Sequence, residues 1–178
     1  MLFLLFDLDG DRYALDATEI VEVLALTPTK AIPGAPAWVA GVMMRDGVPV
    51  PVIDVPRLAL GRAARARSST RLVLVRYDAA PDPQDTAAHA GAASRVLGLI
   101  VERATQTRRI EAAQFTHSGI DTPHARWLGP VADDTLGPVQ WVAVQHMLDD
   151  QVKALLFPPQ ELTQQASAAP LELPDADR

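Results

Sequence analysis

Short apolar runs rich in Val, Leu and Ile, each closed within a few residues by Gly, Pro or Asp, recur from residue 2 to residue 142. That punctuation commits the chain to a mainly β architecture of small strands, a sandwich or a barrel. Leu2 to Leu8 and Tyr13 to Leu15 flank Asp9-Gly10, a dipeptide that supplies the positive φ angles of a tight hairpin. Glu19 to Leu24 continues the strand character, after which Pro28, Pro33 and Pro36 make the connection extended and irregular. Trp38 to Met44 and Val48 to Val55 form a second hairpin about Asp46-Gly47. In its returning strand Pro49 and Pro51 remove two backbone donors from the same lateral side, which predicts an edge strand or a strand that leaves its sheet there.

Residues 55 to 77 hold arginines at 57, 62, 65, 67, 71 and 76 and no acid. The segment reads as a solvated connector, or as a basic stripe (Arg62, Arg65, Arg67) that docks on an acidic partner surface. Arg71 to Tyr77 is expected to begin a second β module, residues 78 to 94 to form a long loop, and Arg95 to Glu102 to be the returning strand. The second half echoes the first. Trp38, Gly41, Val42, Asp46, Gly47 and Val50 to Val52 are followed in the same order by Trp127, Gly129, Val131, Asp134, Gly137 and Val139 to Val142, and Phe3 to Phe6 parallels Leu72 to Val75. Val144 to Phe157 has helical periodicity, with Met147, Leu148, Val152, Leu155 and Leu156 near one face. Pro158-Pro159 stops it, and residues 158 to 178 read as a disordered tail.

The chain of 178 residues carries a formal charge of −6, the wrong sign for a surface that grips nucleic acid. It has no cysteine, which excludes a disulfide scaffold, a thiolate metal site and a cysteine nucleophile. Asp7, Asp9 and Asp11 follow the apolar start at once and no basic residue precedes it, so it is not a signal peptide, and no apolar run reaches the ~20 residues of a membrane span. A cytoplasmic protein without membrane insertion is expected. His89, His117, His124 and His146 have no metal-ligand spacing, Ser118 lacks the glycine on its N-terminal side that a nucleophile elbow needs, and there is no glycine-rich phosphate loop. Asp133-Asp134 and Asp149-Asp150 read as turn punctuation and helix capping. No enzyme, metal or cofactor is expected, and the residues by themselves describe a β-barrel protein-binding module. Trp38 and Trp127, at the repeated strand position, are expected in the core.

The run Pro36-Ala37-Trp38-Val39-Ala40-Gly41-Val42, with Asp46-Gly47-Val48-Pro49-Val50-Pro51-Val52-Ile53-Asp54-Val55 after it, resembles the centre of a CheW-type chemotaxis coupling protein. The resemblance extends to Phe3 to Phe6, Tyr13 to Asp16, Glu19 to Val23 and Val96 to Glu102, and covers residues 2 to about 157. Through the early start of the domain, Leu128-Gly129-Pro130-Val131 and Gln140-Trp141-Val142 it is most similar to the Wsp-type couplers of surface-sensing pathways. It implies one domain over 1–157 made of two five-stranded SH3-like β-barrels that share a core, roughly 15–70 and 71–143 plus the N-terminal strands, with short helices and a C-terminal helix. It also implies a non-catalytic adaptor between the cytoplasmic tip of a methyl-accepting chemoreceptor and the regulatory domain of a CheA-type histidine kinase, associated with membrane receptor arrays; the alternative is an SH3-like interaction module with another partner. The receptor-contacting positions it implies are Ile20 and Glu22 on one strand and Gly41, Arg45, Asp46 and Gly47 on the hairpin. One departure stands out. Where the family's hairpin reads Asn-x-Arg-Gly, this chain has Met44-Arg45-Asp46-Gly47, the arginine one place early, so either the hairpin changes register or Asp46 inverts the local charge.

Overall fold

Both Asp-Gly dipeptides turn as expected. In the computed structural model, which describes residues 1–77, 95–117, 119–120 and 122–158, Asp9 and Gly10 have φ 50° and 102°, and Asp46 and Gly47 have φ 51° and 79°. Positive φ at both central residues is the twist that suits a two-residue hairpin. The first turn joins β1 (Leu2–Leu8) to β2 (Asp11–Asp16), and the second joins β4 (Val39–Arg45) to β5 (Val48–Asp54). Between them lies β3 (Ile20–Ala25). The expected loop over 78–94 and the expected tail beyond residue 158 lie outside the described residues.

Strand pairing divides the described residues into two barrels. One runs β3, β6 (Arg71–Tyr77), the first part of β7 (Arg95–Arg109), β5 and β4, with β5 parallel to β7. The other runs from the last part of β7 through β1, β2, β10 (Gly137–Val142) and β9 (Leu128–Asp134) to the short β8 (Phe115–Thr116), with β10 parallel to β2. The parallel pairing falls at the corresponding place in each, as duplicated modules require. The backbone repeats too: Asp54 N–H donates to the Trp38 carbonyl at 2.9 Å, and Ala143 N–H donates to the Trp127 carbonyl at 2.8 Å.

This grouping corrects the boundary expected at residue 71. β6 and the first part of β7 complete the barrel of β3 to β5, because β6 pairs with β3 from Ile20↔Val75 to Ala25↔Arg71. Strand β7 is also longer than the 95–102 segment expected. Its register against β1 jumps between Glu102↔Asp7 and Gln106↔Leu5, Arg103 sits there at φ 52°, and the strand passes from one barrel into the other. A bulge of this kind bends a strand without ending it.

The core explains the unbroken apolar runs Leu2 to Phe6 in β1 and Leu72 to Val75 in β6. Phe3 and Leu5 are buried inside one barrel with Ala14, Ala132 and Val139, while Leu72 and Leu74 are buried inside the other with Met43, Val50 and Val52. The alternate residues, Leu4 and Phe6 on β1 and Val73 and Val75 on β6, meet in a third cluster with Ile53, Leu97, Leu99 and Val142. A strand buried on both faces loses the polar alternation of a half-exposed one.

The prolines of β5 act as their spacing predicts. Pro49 and Pro51 lie opposite Met44 and Val42, and β5 pairs with β7 only from Val52 to Asp54, beyond the missing donors. Two helical features differ from expectation. The connector after β5 begins with α1 (Val55–Leu60), whose N-cap is the Asp54 carboxylate, an acceptor for Arg57 N–H at 3.0 Å. The helix expected over 144–157 is instead a 3-10 turn at Val144–His146 followed by α2 (Asp150–Leu156), because Asp149 takes an extended conformation and caps α2 through Val152 N–H at 2.8 Å. Met147, Leu148 and Val152 are buried as expected, whereas Leu155 on the separate short helix is exposed.

Candidate functional site

Strands β3 and β4 end the pairing path of the first barrel, so each has one lateral side without a ladder partner. The chain after β3 closes part of that gap. Lys30 N–H donates to the Val42 carbonyl at 2.9 Å and Val42 N–H donates to the Lys30 carbonyl at 2.8 Å. This approach requires Gly41, which has φ 134° and where a Cβ atom would fall 2.2 Å from the Lys30 carbonyl oxygen. Gly47 has open space around it and serves the turn through its φ alone.

Nearer the tip the gap is spanned by side chains. Arg45 donates from Nε and Nη2 to Oε2 of Glu22, each at 2.9 Å, across the two strand ends. Two of the positions implied by the resemblance therefore meet, although 23 residues separate them. From Gly41 to the turn the hairpin register is unbroken, its shift lying between Val39 and Gly41. Arg45 pairs with Val48, Asp46 and Gly47 alone make the turn, and the early arginine reaches Glu22 from the last position of β4. Asp46 is exposed at the tip and adds a negative charge there. Val48, which pairs with Arg45 across the turn and shares its face, is 60% exposed; Val23 and Met44, the strand neighbours of Glu22 and Arg45, are exposed on the opposite face, Met44 at 64%, and Val21, at the register shift of β3, is exposed too. Ile20 turns the other way and packs partly buried against the shared core. The result is an edge with a half-exposed ion pair and exposed apolar side chains on both of its faces, able to combine area burial with directional pairing.

The same hairpin position in the second barrel carries the opposite charge. Asp134 ends β9 opposite Gly137 as Arg45 ends β4 opposite Val48, so Arg45 is its counterpart, one residue from the Asp46 match read in the sequence. Asp134 accepts from Arg108 at 2.9 Å and Arg12 at 3.2 Å. Burial pushes its carboxyl pKa up, but hydrogen bonds from Arg108, Thr135 N–H and Arg12 hold it below the usual range.

The basic segment divides. Arg62 donates to both oxygens of Glu102, at 2.8 and 3.0 Å, and to Asp9 in the β1–β2 turn. Arg65 N–H donates to Glu102 at 2.6 Å, and its guanidinium lies 3.5 Å from Asp9. The Arg62 hydrogen bonds hold the Glu102 and Asp9 carboxyls below their ordinary pKa against the effect of burial, and raise that of Arg62. Arg62 thus ties the first barrel to the turn of the second. Arg67, exposed, has no side-chain partner among the described residues. Sequence reasoning missed this tie, since nothing local marks residues 9, 62 and 102 as neighbours.

Trp127 is buried, while Trp38 is half-buried against the same core cluster. Among the described residues no group of three or more His, Asp or Glu side chains is placed to hold a metal ion, and no helix is long and apolar enough to cross a membrane.

The CheW-like domain model matches residues 2–152. No curated protein sequence matches. Among solved structures, the chain is similar to the scaffolding protein TtCheW from Thermoanaerobacter tengcongensis, with a TM-score of 0.68 and 17% identity over 83% of this chain and 87% of that one. The fold of two SH3-like β subdomains is thereby that of the CheW-like structures, and with the family model spanning most of its length the chain belongs to the CheW-like domain family.

Proposed function

We propose that this chain is a non-catalytic adaptor of chemotaxis-like signalling that couples the cytoplasmic tip of a chemoreceptor to the regulatory domain of a CheA-type histidine kinase, in the cytoplasm at receptor arrays. The observation that carries the reading is the β3–β4 edge, where Glu22 and Arg45 pair and the adjoining strand ends expose Val21, Val23, Met44 and Val48, on a chain of this family. Edge and hairpin positions of this kind dock extended or helical partners through apolar area, with the ion pair setting orientation. Asp46 replaces the arginine that the family's hairpin carries next to its glycine, which rejects partners built for a positive tip. The finer reading is a surface-sensing coupler of Wsp type; its support is the β9–β10 hairpin, where Leu128 to Val131 and Gln140 to Val142 carry the similarity.

The test is binding of the full chain to a receptor-tip fragment and to the kinase regulatory domain from the same genome. Arg45→Ala is expected to weaken at least one of the two by about 1 kcal/mol or more, roughly fivefold in Kd. Its stability should change by less than about 1 kcal/mol, because the pair is half exposed. Unchanged affinity for both partners removes Arg45 from the docking surface.

A further inference from the structure

Sulfur in this chain is carried by four methionines and no cysteine. Met43 lies inside the first barrel and Met147 in the shared core, 8% and 4% exposed, whereas Met44 is 64% exposed. Met1 is the other exposed methionine, at 43%. An oxidant in solution therefore meets the Met44 thioether with no thiol to compete for it and with the adjacent Met43 shielded.

Met44 also stands on the docking edge. It is opposite Pro49 in the hairpin register, and Val42 is opposite Pro51, so these four side chains share one face. That face begins at Ile53 in the shared core and ends at Met44 and Pro49, both exposed beside the turn. It is apolar throughout, and the proline opposite Met44 has no N–H to offer. A partner that covers the face buries the thioether as a hydrophobe. A sulfoxide at the same place sets a strong acceptor there, and covering it without a donor is unfavourable.

We propose that Met44 is a redox-sensitive modification site and that its oxidation to the sulfoxide releases a partner docked on the β3–β4 edge, which rests on the adaptor reading above. The oxidant is a hydroperoxide. One of its oxygens passes to the thioether: the S–O bond forms as the O–O bond breaks, and sulfur gives up the two electrons that the peroxide takes. With hydrogen peroxide, the proton of the transferred oxygen joins the departing hydroxide, which leaves as water. Methionine sulfoxide reductases, one for each epimer at sulfur, reverse the change. The Glu22–Arg45 pair lies on the other face of the edge, so oxidation removes apolar docking area and leaves the charged pair in place.

The experiment treats the full chain with hydrogen peroxide, maps the oxidised methionines by peptide mass spectrometry, and measures binding to the receptor-tip fragment and the kinase regulatory domain of the same genome before and after. Met44 and Met1 are expected to oxidise first, Met43 and Met147 last. The oxidised chain should bind at least one partner about tenfold more weakly with its Tm unchanged, and the two reductases should restore the affinity. Met44→Leu, which keeps size and apolarity, should bind as the parent does and hold that affinity after peroxide, while Met44→Gln should bind as the oxidised parent does. Oxidation that spares Met44, an affinity unchanged by peroxide, or an equal loss in Met44→Leu would each overturn the proposal while the untreated chain still binds. An untreated chain that binds neither partner overturns the adaptor reading, and this regulation with it.

Discussion

At position 41 a single hydrogen decides whether the first barrel closes. The φ of 134° and the 2.2 Å approach of the Lys30 carbonyl to a notional Cβ leave no room for alanine, since the obstacle is backbone on both sides. Gly41→Ala is therefore expected to destabilise by about 3 kcal/mol or more, against about 1 kcal/mol for Gly47→Ala, where only the positive φ objects. Urea denaturation of the two variants checks the ranking, and equal losses would show that the Lys30–Val42 bridge yields without cost. Residue-scale detail was partly legible before the structure. The hairpin tip, the two Asp-Gly turns and the shifted arginine stood in the sequence, but what the shift achieves did not. Arg45 meets Glu22 because a barrel brings two strand ends together, and no local pattern records that rotation.

Elements announced by strong punctuation were the easiest to read. Prolines at alternate positions fixed where β5 stands apart from β7, whereas Asp149-Asp150, read as capping within a helix from Val144, instead starts that helix at Asp150. Helix α1 escaped because six residues hold too little periodicity to stand out among arginines. Its anchor is Asp54, 8% exposed, whose carboxylate accepts from Arg57 N–H and again from Ala64 N–H at 3.0 Å, so one side chain holds both ends of the α1 segment. Asp54→Ala should cost about 2 kcal/mol by leaving these donors unmet, with amide exchange accelerated at residues 57 and 64. Uniform stability with unaltered exchange would mean that solvent replaces the cap.

For the whole molecule, the duplication was visible as a repeat of residues, while its boundary was not, since β6 pairs backwards with β3 and β7 with β5, across some 50 residues of sequence. The tie between the barrels is electrostatic at one point, Arg62 to Glu102 and Asp9. Glu102 has a folded pKa below its ordinary 4.5, so its contribution is fully present above that ordinary value and is lost as the pH falls below it and through the lower folded pKa. Glu102→Gln should lower Tm by several degrees at pH 7. The gap between variant and parent should then narrow as the pH is lowered below the ordinary carboxylate value and the parent's carboxylate takes up its proton. A gap that stays constant with pH would assign the loss to packing.

Coupling itself is the central claim, and it is tested most directly by co-sedimentation of the full chain with the receptor tip and the histidine kinase of the same genome, with kinase activity read on the same samples. A ternary complex that forms only when this chain is present, with altered kinase activity, is the expected result; binding to neither partner would contradict the adaptor function while leaving the double-barrel fold intact.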